Sequence, residues 1–266
     1  MSEIHELTGP ERAPAQGGMP DRLIIFLHGL GADGNDLIGL GAILGQVFPK
    51  AHFAAPDAPF PCDMAPMGRQ WFSLQNLDRK VLEEGAEGVT DTINAFIDDQ
   101  QTKHGMTSDR VAVIGFSQGT MLALHALPRR PEPLAGLVGF SGMLVSPESL
   151  AEKGVTRTPC LLLHGDQDEV VPPEMTTYAG QALQLAGFDV QAATLGGLGH
   201  SIDERGLQLA VEFLARAFGD INPEDAAGLP EEAPRDETGG DEPGGDEPGE
   251  DTPNAAEQPG KEEEPN

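Results

Sequence analysis

Residues 115–119 read Gly115-Phe116-Ser117-Gln118-Gly119, directly after the apolar, largely β-branched run Val111-Ala112-Val113-Ile114. A serine hydroxyl is a weak nucleophile unless it stands clear of the backbone beside a base. A sharp turn from strand to helix presents it that way. The same turn crowds the chain, so the positions two before and two after the serine must be nearly free of side chain. Gly115 and Gly119 meet that demand. Acyl transfer then needs a histidine to take the serine proton and a carboxylate to hold the histidine. An apolar run at 160–164 leads into His164-Gly165-Asp166-Gln167-Asp168, and another at 190–195 leads into Gly196-Gly197-Leu198-Gly199-His200. Asp166 and Asp168 compete for the acidic role. His200 ends the last run, whereas His164 only opens the aspartate loop. Ser141, in Gly139-Phe140-Ser141-Gly142, lacks the second glycine at the right offset and reads as a pocket-lining residue.

These residues need a scaffold that brings three distant loops together. Six short apolar runs read as buried strands: 22–28, 51–55, 111–116, 134–140, 160–164 and 190–195. Segments of helical character separate them at 35–48, 83–103, 118–127, 147–153, 173–187 and 203–218. Such alternation predicts an α/β fold, a mostly parallel sheet with right-handed crossovers and helices on both faces. Functional loops then sit beyond the carboxyl ends of the strands. Ser117, the aspartate pair and His200 all fall at such ends.

The chain carries 44 acidic and 16 basic side chains, a formal charge of −28, which argues against nucleic acid or an anionic membrane as partner. Residues 220–266 hold 17 of those acids and two of the bases, in a Pro/Gly-rich stretch with little apolar surface, and read as a disordered acidic tail. Residues 21–219 suit a single catalytic domain, and residues 1–20 an N-terminal segment with room for a short edge strand. The N-terminus has no basic-then-apolar leader pattern, and no apolar stretch is long enough to span a membrane. A cytoplasmic monomer or homodimer, without stable membrane insertion, is the expectation. Cys62 and Cys160 lack a second Cys or His at metal-ligand spacing, and the reaction calls for no cofactor and no metal.

Together, Leu27-His28-Gly29-Leu30-Gly31-Ala32-Asp33-Gly34, Arg69-Gln70-Trp71-Phe72, Gly115-Phe116-Ser117-Gln118-Gly119, the run from His164 to Pro172, and Gly199-His200 resemble the phospholipase/carboxylesterase family of the α/β-hydrolase superfamily, which includes acyl-protein thioesterases. The order Ser…Asp…His is the one such hydrolases use. The resemblance covers about residues 22–218, and the segments between strands are too short to hold an inserted cap domain. It implies Ser117 as nucleophile, Asp168 rather than Asp166 as acid, and His200 as base. It also implies an oxyanion hole formed by the backbone N–H groups of Leu30 and Gln118. Related thioesterases carry an acidic residue after Trp-Phe where this chain has Ser73, which points to a carboxylesterase.

The substrate is then a small-molecule ester or thioester. The long irregular stretch 56–77 contains Trp71 and Phe72, expected to form one apolar wall of an acyl-binding groove, with Met143 and Leu144 opposite. Gly29-Leu30-Gly31-Ala32-Asp33-Gly34 is also a formal dinucleotide-binding pattern. Its acidic partner is poorly supplied, and an esterase needs the same glycines to bring amides near the acyl oxygen. A lysophospholipase or thioesterase would use the same triad. A reading of another class is a hydrolase-like scaffold of minor activity whose acidic tail docks a basic partner.

Overall fold

Along the second strand every residue is buried, and neighbours face different cores: Leu23, Ile25 and Leu27 belong to one, Ile24 and Phe26 to the other. A strand covered on both faces must lie inside a sheet with helices on either side. The computed structural model describes residues 3–221 and shows that arrangement. The chain runs β1 (Glu11–Arg12), β2 (Arg22–Leu27), α1 (Gly34–Ile38), α2 (Leu40–Val47), β3 (Ala51–Ala54), β4 (Phe60–Pro61), β5 (Arg69–Gln70), α3 (Arg79–His104), β6 (Val111–Phe116), α4 (Gln118–Ala126), β7 (Gly136–Phe140), β8 (Cys160–Gly165), α5 (Glu174–Leu185), β9 (Val190–Leu195) and α6 (Glu204–Ala217).

The main sheet has the order β1-β3-β2-β6-β7-β8-β9, parallel throughout except for the antiparallel edge strand β1. Residues of α3, α4 and α5 fill one face, and residues of α1, α2 and α6 the other. From β2 the chain steps to β3 on one side, then crosses to β6 on the other. The crevice between the carboxyl ends of β2 and β6 is therefore the switch point where parallel sheets bind ligands. The loop after β2 and Ser117 after β6 both open there.

The expected strands and helices are present, with instructive differences. The helix expected at 35–48 is two helices, divided at Gly39. The helix expected at 83–103 starts earlier, because Asp78 caps it by accepting from Lys80 N at 3.0 Å. The segment at 147–153 is only a 3-10 turn, Pro147–Ala151. The Arg22 guanidinium, packed between the rings of Phe48 and Phe218, bonds the Asp220 carboxylate. The remainder of the acidic tail lies outside the described residues. No helix among the described residues is long and apolar enough to cross a membrane.

Candidate active site

Ser117 follows β6 with φ 51° and ψ −114°, a backbone conformation in which a non-glycine residue is strained. The strain is held by packing. A Cβ at Gly119 would collide with Leu27 O on β2, and one at Gly115 would meet Thr120 N at 2.7 Å. Ser117 N–H donates to Phe140 O at 2.9 Å, which ties the turn to β7. Ser117 occupies the N-cap position of α4, yet its side chain does not cap the helix. The hydroxyl is left free for other work.

The loops after β8 and β9 supply the partners. His200 Nδ1 lies 2.7 Å from Asp168 Oδ2, which leaves Nε2 as the imidazole's outward nitrogen. The His200 ring sits 4.9 Å, centroid to centroid, from the ring of Phe116, the residue before Ser117. Asp168 is buried, and two backbone amides fix its other oxygen: Val170 N–H and Val171 N–H each donate to Oδ1 at 2.9 Å. Burial raises its proton affinity, but the Val171 amide, His200 and the Val170 amide outweigh that and hold the carboxyl below the usual range. Asp166 has a different task. Its Oδ1 accepts from Gly197 N–H at 2.6 Å and braces the turn that carries His200.

The two expected backbone donors lie at the start of α4 and in the loop after β2. Gln118 is the first residue of α4, so its N–H has no partner within the helix. Neither Gln118 N–H nor Leu30 N–H has an acceptor among the described residues. The loop bearing Leu30 is anchored on both sides. His28 Nε2 accepts from Ala58 N–H at 3.0 Å, and its Nδ1 faces Gly29 O at 2.8 Å. Gly31 N–H donates to Arg69 O at 2.8 Å. The glycine pattern is not a phosphate cradle here: α1 has only five residues, and the Asp57 carboxylate already accepts from Gly34 N–H at 2.8 Å. A pyrophosphate would meet like charge at that helix end.

Residues 13–218 match the family model described as Phospholipase/Carboxylesterase. The chain belongs to the phospholipase/carboxylesterase family. Among relatives, Esterase YpfH of Escherichia coli (strain K12) is 29% identical over 214 residues, covering 80% of this chain and 88% of that protein. Acyl-protein thioesterase 1 of Gibberella zeae is 28% identical over 212 residues, covering 73% and 89%. The crystal structure of esterase PE8 superposes with a TM-score of 0.76 at 37% identity, covering 80% of this chain and all of that one. Arabidopsis thaliana SOBER1 gives a TM-score of 0.64 at 26% identity, covering 74% and 98%. The fold is that of an α/β-hydrolase, and the chain is an esterase-class enzyme.

The structure also assigns contacts in this phospholipase/carboxylesterase site that the sequence did not disclose. The Gln118 side chain is fully buried; its Oε1 accepts from Trp71 N–H at 3.0 Å and its Nε2 donates to Phe72 O at 2.7 Å. It clamps the Trp71 loop to the turn that follows β6. His164 lies 3.0 Å from Asp168 Oδ2 through Nε2, which also faces Val171 O at 2.9 Å, while Nδ1 faces Thr176 Oγ1 at 2.7 Å. Such a network fits an Nε2–H tautomer donating toward Asp168 and Val171. Both contacts depend on tertiary placement and leave no mark in local sequence.

One expectation needs correction. Trp71 is 0% exposed and Phe72 4%, so neither presents an open groove wall. The Trp71 indole N–H donates to His28 O at 3.0 Å, and its ring packs 5.3 Å from His28 within the core. Trp71 staples the loop to the residue that follows β2. Met143 and Leu144 keep partial exposure, as does Leu30. Ser141 also differs from expectation, being 1% exposed with an unpaired Oγ among the described residues, so it does not line open space. Cys160 is inert as a nucleophile, because burial pushes its thiol up to about 12.

Burial lowers the proton affinity of His28, His52, His104, His125 and His164 below the ordinary imidazole value of 6.5. In the unfolded chain each takes up a proton near 6.5, while in the folded chain each resists it until lower pH. Their contribution to stability is therefore complete above 6.5 and is lost as pH falls through the lowered folded values. Denaturant midpoints in high salt, which screens the acidic surface, should fall between pH 7 and pH 5. An unchanged midpoint would show that these imidazoles protonate as readily when folded.

Proposed function

We propose that this enzyme hydrolyses carboxylic esters of short to medium acyl chains through an acyl-enzyme on Ser117. Ser117 Oγ attacks the carbonyl carbon as its proton passes to His200 Nε2. Asp168 holds the tautomer that leaves Nε2 free to accept and stabilises the imidazolium. The oxyanion takes hydrogen bonds from Leu30 N–H and Gln118 N–H, aided by the dipole of α4. Collapse of the tetrahedral intermediate breaks the bond to the leaving oxygen, which receives the proton from His200. Water then attacks the acyl carbon, gives a proton to His200, and releases the acid as Ser117 Oγ regains its hydrogen. Leu30, Met143 and Leu144 supply accessible apolar surface for the acyl chain.

The observation that carries this reading is the 2.7 Å bond from His200 Nδ1 to a doubly anchored Asp168, with the His200 ring 4.9 Å from that of Phe116, the residue before a strained serine whose hydroxyl caps nothing. A thioester substrate is a second reading, supported by relatives named acyl-protein thioesterase 1. An acyl-length series of matched oxyesters and thioesters separates the two. We expect kcat/KM to peak at short to medium oxyesters, with turnover absent in Ser117→Ala. A preference for long-chain thioesters would favour the second reading.

A further inference from the structure

At the sheet edge formed by β1, three metal-ligating side chains converge with no part in the site above. Glu11 lies on β1, His52 near the amino end of β3, and His104 is the last residue of α3. Ser117, by contrast, lies at the carboxyl ends of the parallel strands. One ligand atom from each of Glu11, His52 and His104 lies within 4.8 Å of the others. Glu11 Oε2 and His52 Nε2 are 3.2 Å apart, and the two imidazole rings are 4.0 Å apart between centroids. His104 Nε2 is buried and has no hydrogen-bond partner among the described residues. A buried nitrogen left unpaired is costly, and nearby sit an imidazole and a carboxylate.

We propose that Glu11, His52 and His104 form a binding site for a divalent transition-metal ion of the zinc type. Two imidazoles and one carboxylate are a known donor set for such ions, with a fourth position for water. Metal–ligand bonds of about 2.1 Å in a tetrahedron set ligand atoms roughly 3.4 Å apart. The Glu11–His52 pair already stands near that separation, and the unpaired His104 nitrogen has no bond to surrender. Glu11 Oε1 also accepts from Gln100 Nε2 at 3.0 Å, which helps to fix the carboxylate in place. Lys103 Nζ lies 2.7 Å from both Glu11 oxygens and is the competing cation; its side chain is half exposed and can swing into solvent. The ion would fasten a two-residue edge strand to its neighbour and to the end of α3. It would stabilise the folded chain without entering the ester chemistry, which the sequence reading left free of metal.

The test is titration of the metal-stripped, full-length protein with Co²⁺, read by visible absorption, then competition with Zn²⁺ and thermal melts with and without Zn²⁺. One equivalent of Co²⁺ should give a saturable four-coordinate spectrum, and Zn²⁺ should raise Tm. His52→Gln and His104→Gln should each weaken binding more than about tenfold, remove the Tm rise and leave circular dichroism unchanged. Should His52→Gln fail to fold, His104→Gln at the partly exposed helix end still decides. Lys103→Ala should tighten binding, because it removes the competing cation from Glu11. Wild-type affinity in His104→Gln would overturn the proposal and assign the ion to the acidic surface or to other histidines. So would the lack of saturable Co²⁺ binding, or weaker binding in Lys103→Ala.

Discussion

Replacing Asp168 with asparagine should lower kcat by about ten-thousand-fold while changing KM little. The size follows from how the carboxylate is held. Val170 N–H and Val171 N–H both donate to Oδ1, so an amide in its place must keep its oxygen there. The NH₂ group then occupies the Oδ2 position and donates toward His200 Nδ1. Nδ1 becomes an acceptor, the imidazole proton moves to Nε2, and Nε2 can no longer take the proton from Ser117. The charge that stabilises the imidazolium is lost as well. The same NH₂ would face the Nε2–H of His164, now 3.0 Å from Oδ2, so the loop should also lose some stability. Steady-state kinetics with an activated ester, alongside a denaturant melt, separate the two effects. A loss under tenfold in a folded variant would mean that Asp168 does not set the tautomer.

Gly119→Ala should be the most damaging single-methyl change in the core of the site. The new Cβ would strike Leu27 O, backbone of a central strand rather than a side chain that can turn away. Either β2 or α4 must shift. Overpacking of this kind costs about 1–3 kcal/mol where side chains can yield, and a backbone obstacle places it at the upper end or beyond. The shift would also move Ser117 relative to Leu30 N–H, and a displacement near 1 Å can cost about a hundredfold in rate. Gly88→Ala is the control. Gly88 lies inside α3, exposed, with open space where a Cβ would go, so alanine there should stabilise by up to about 1 kcal/mol and leave activity alone. Equal behaviour of the two variants in urea melts would refute the steric account of Gly119.

Sequence made the scaffold legible where the physical signal is local. Short apolar runs mark β2, β6 and β8, and the loops that follow them carry Ser117, Asp168 and the glycines around Leu30. An edge strand was expected within residues 1–20 and β1 lies there, but β4 and β5 stayed out of reach because two-residue strands carry no periodicity. The break at Gly39 was hidden inside a continuous apolar pattern. Trp71 was misplaced for a different reason. A hydrophobic ring in a long loop can line a groove or plug the core, and its complete burial with a 3.0 Å bond to His28 O decides for the core. Gln118 shows the same limit, since its side-chain clamp on Trp71 and Phe72 spans loops far apart in sequence. Glu11, His52 and His104 are equally scattered, and no ligand-spacing motif could have joined them.

In the proposed mechanism Ser117 Oγ is the attacking atom. Treating the full-length enzyme with a serine-directed fluorophosphonate, then mapping the adduct by mass spectrometry, tests that directly. The prediction is one adduct per chain, on Ser117, with activity lost in step with labelling and neither label nor turnover in Ser117→Ala. Labelling at Ser141 or another serine, or hydrolysis retained by Ser117→Ala, would contradict it.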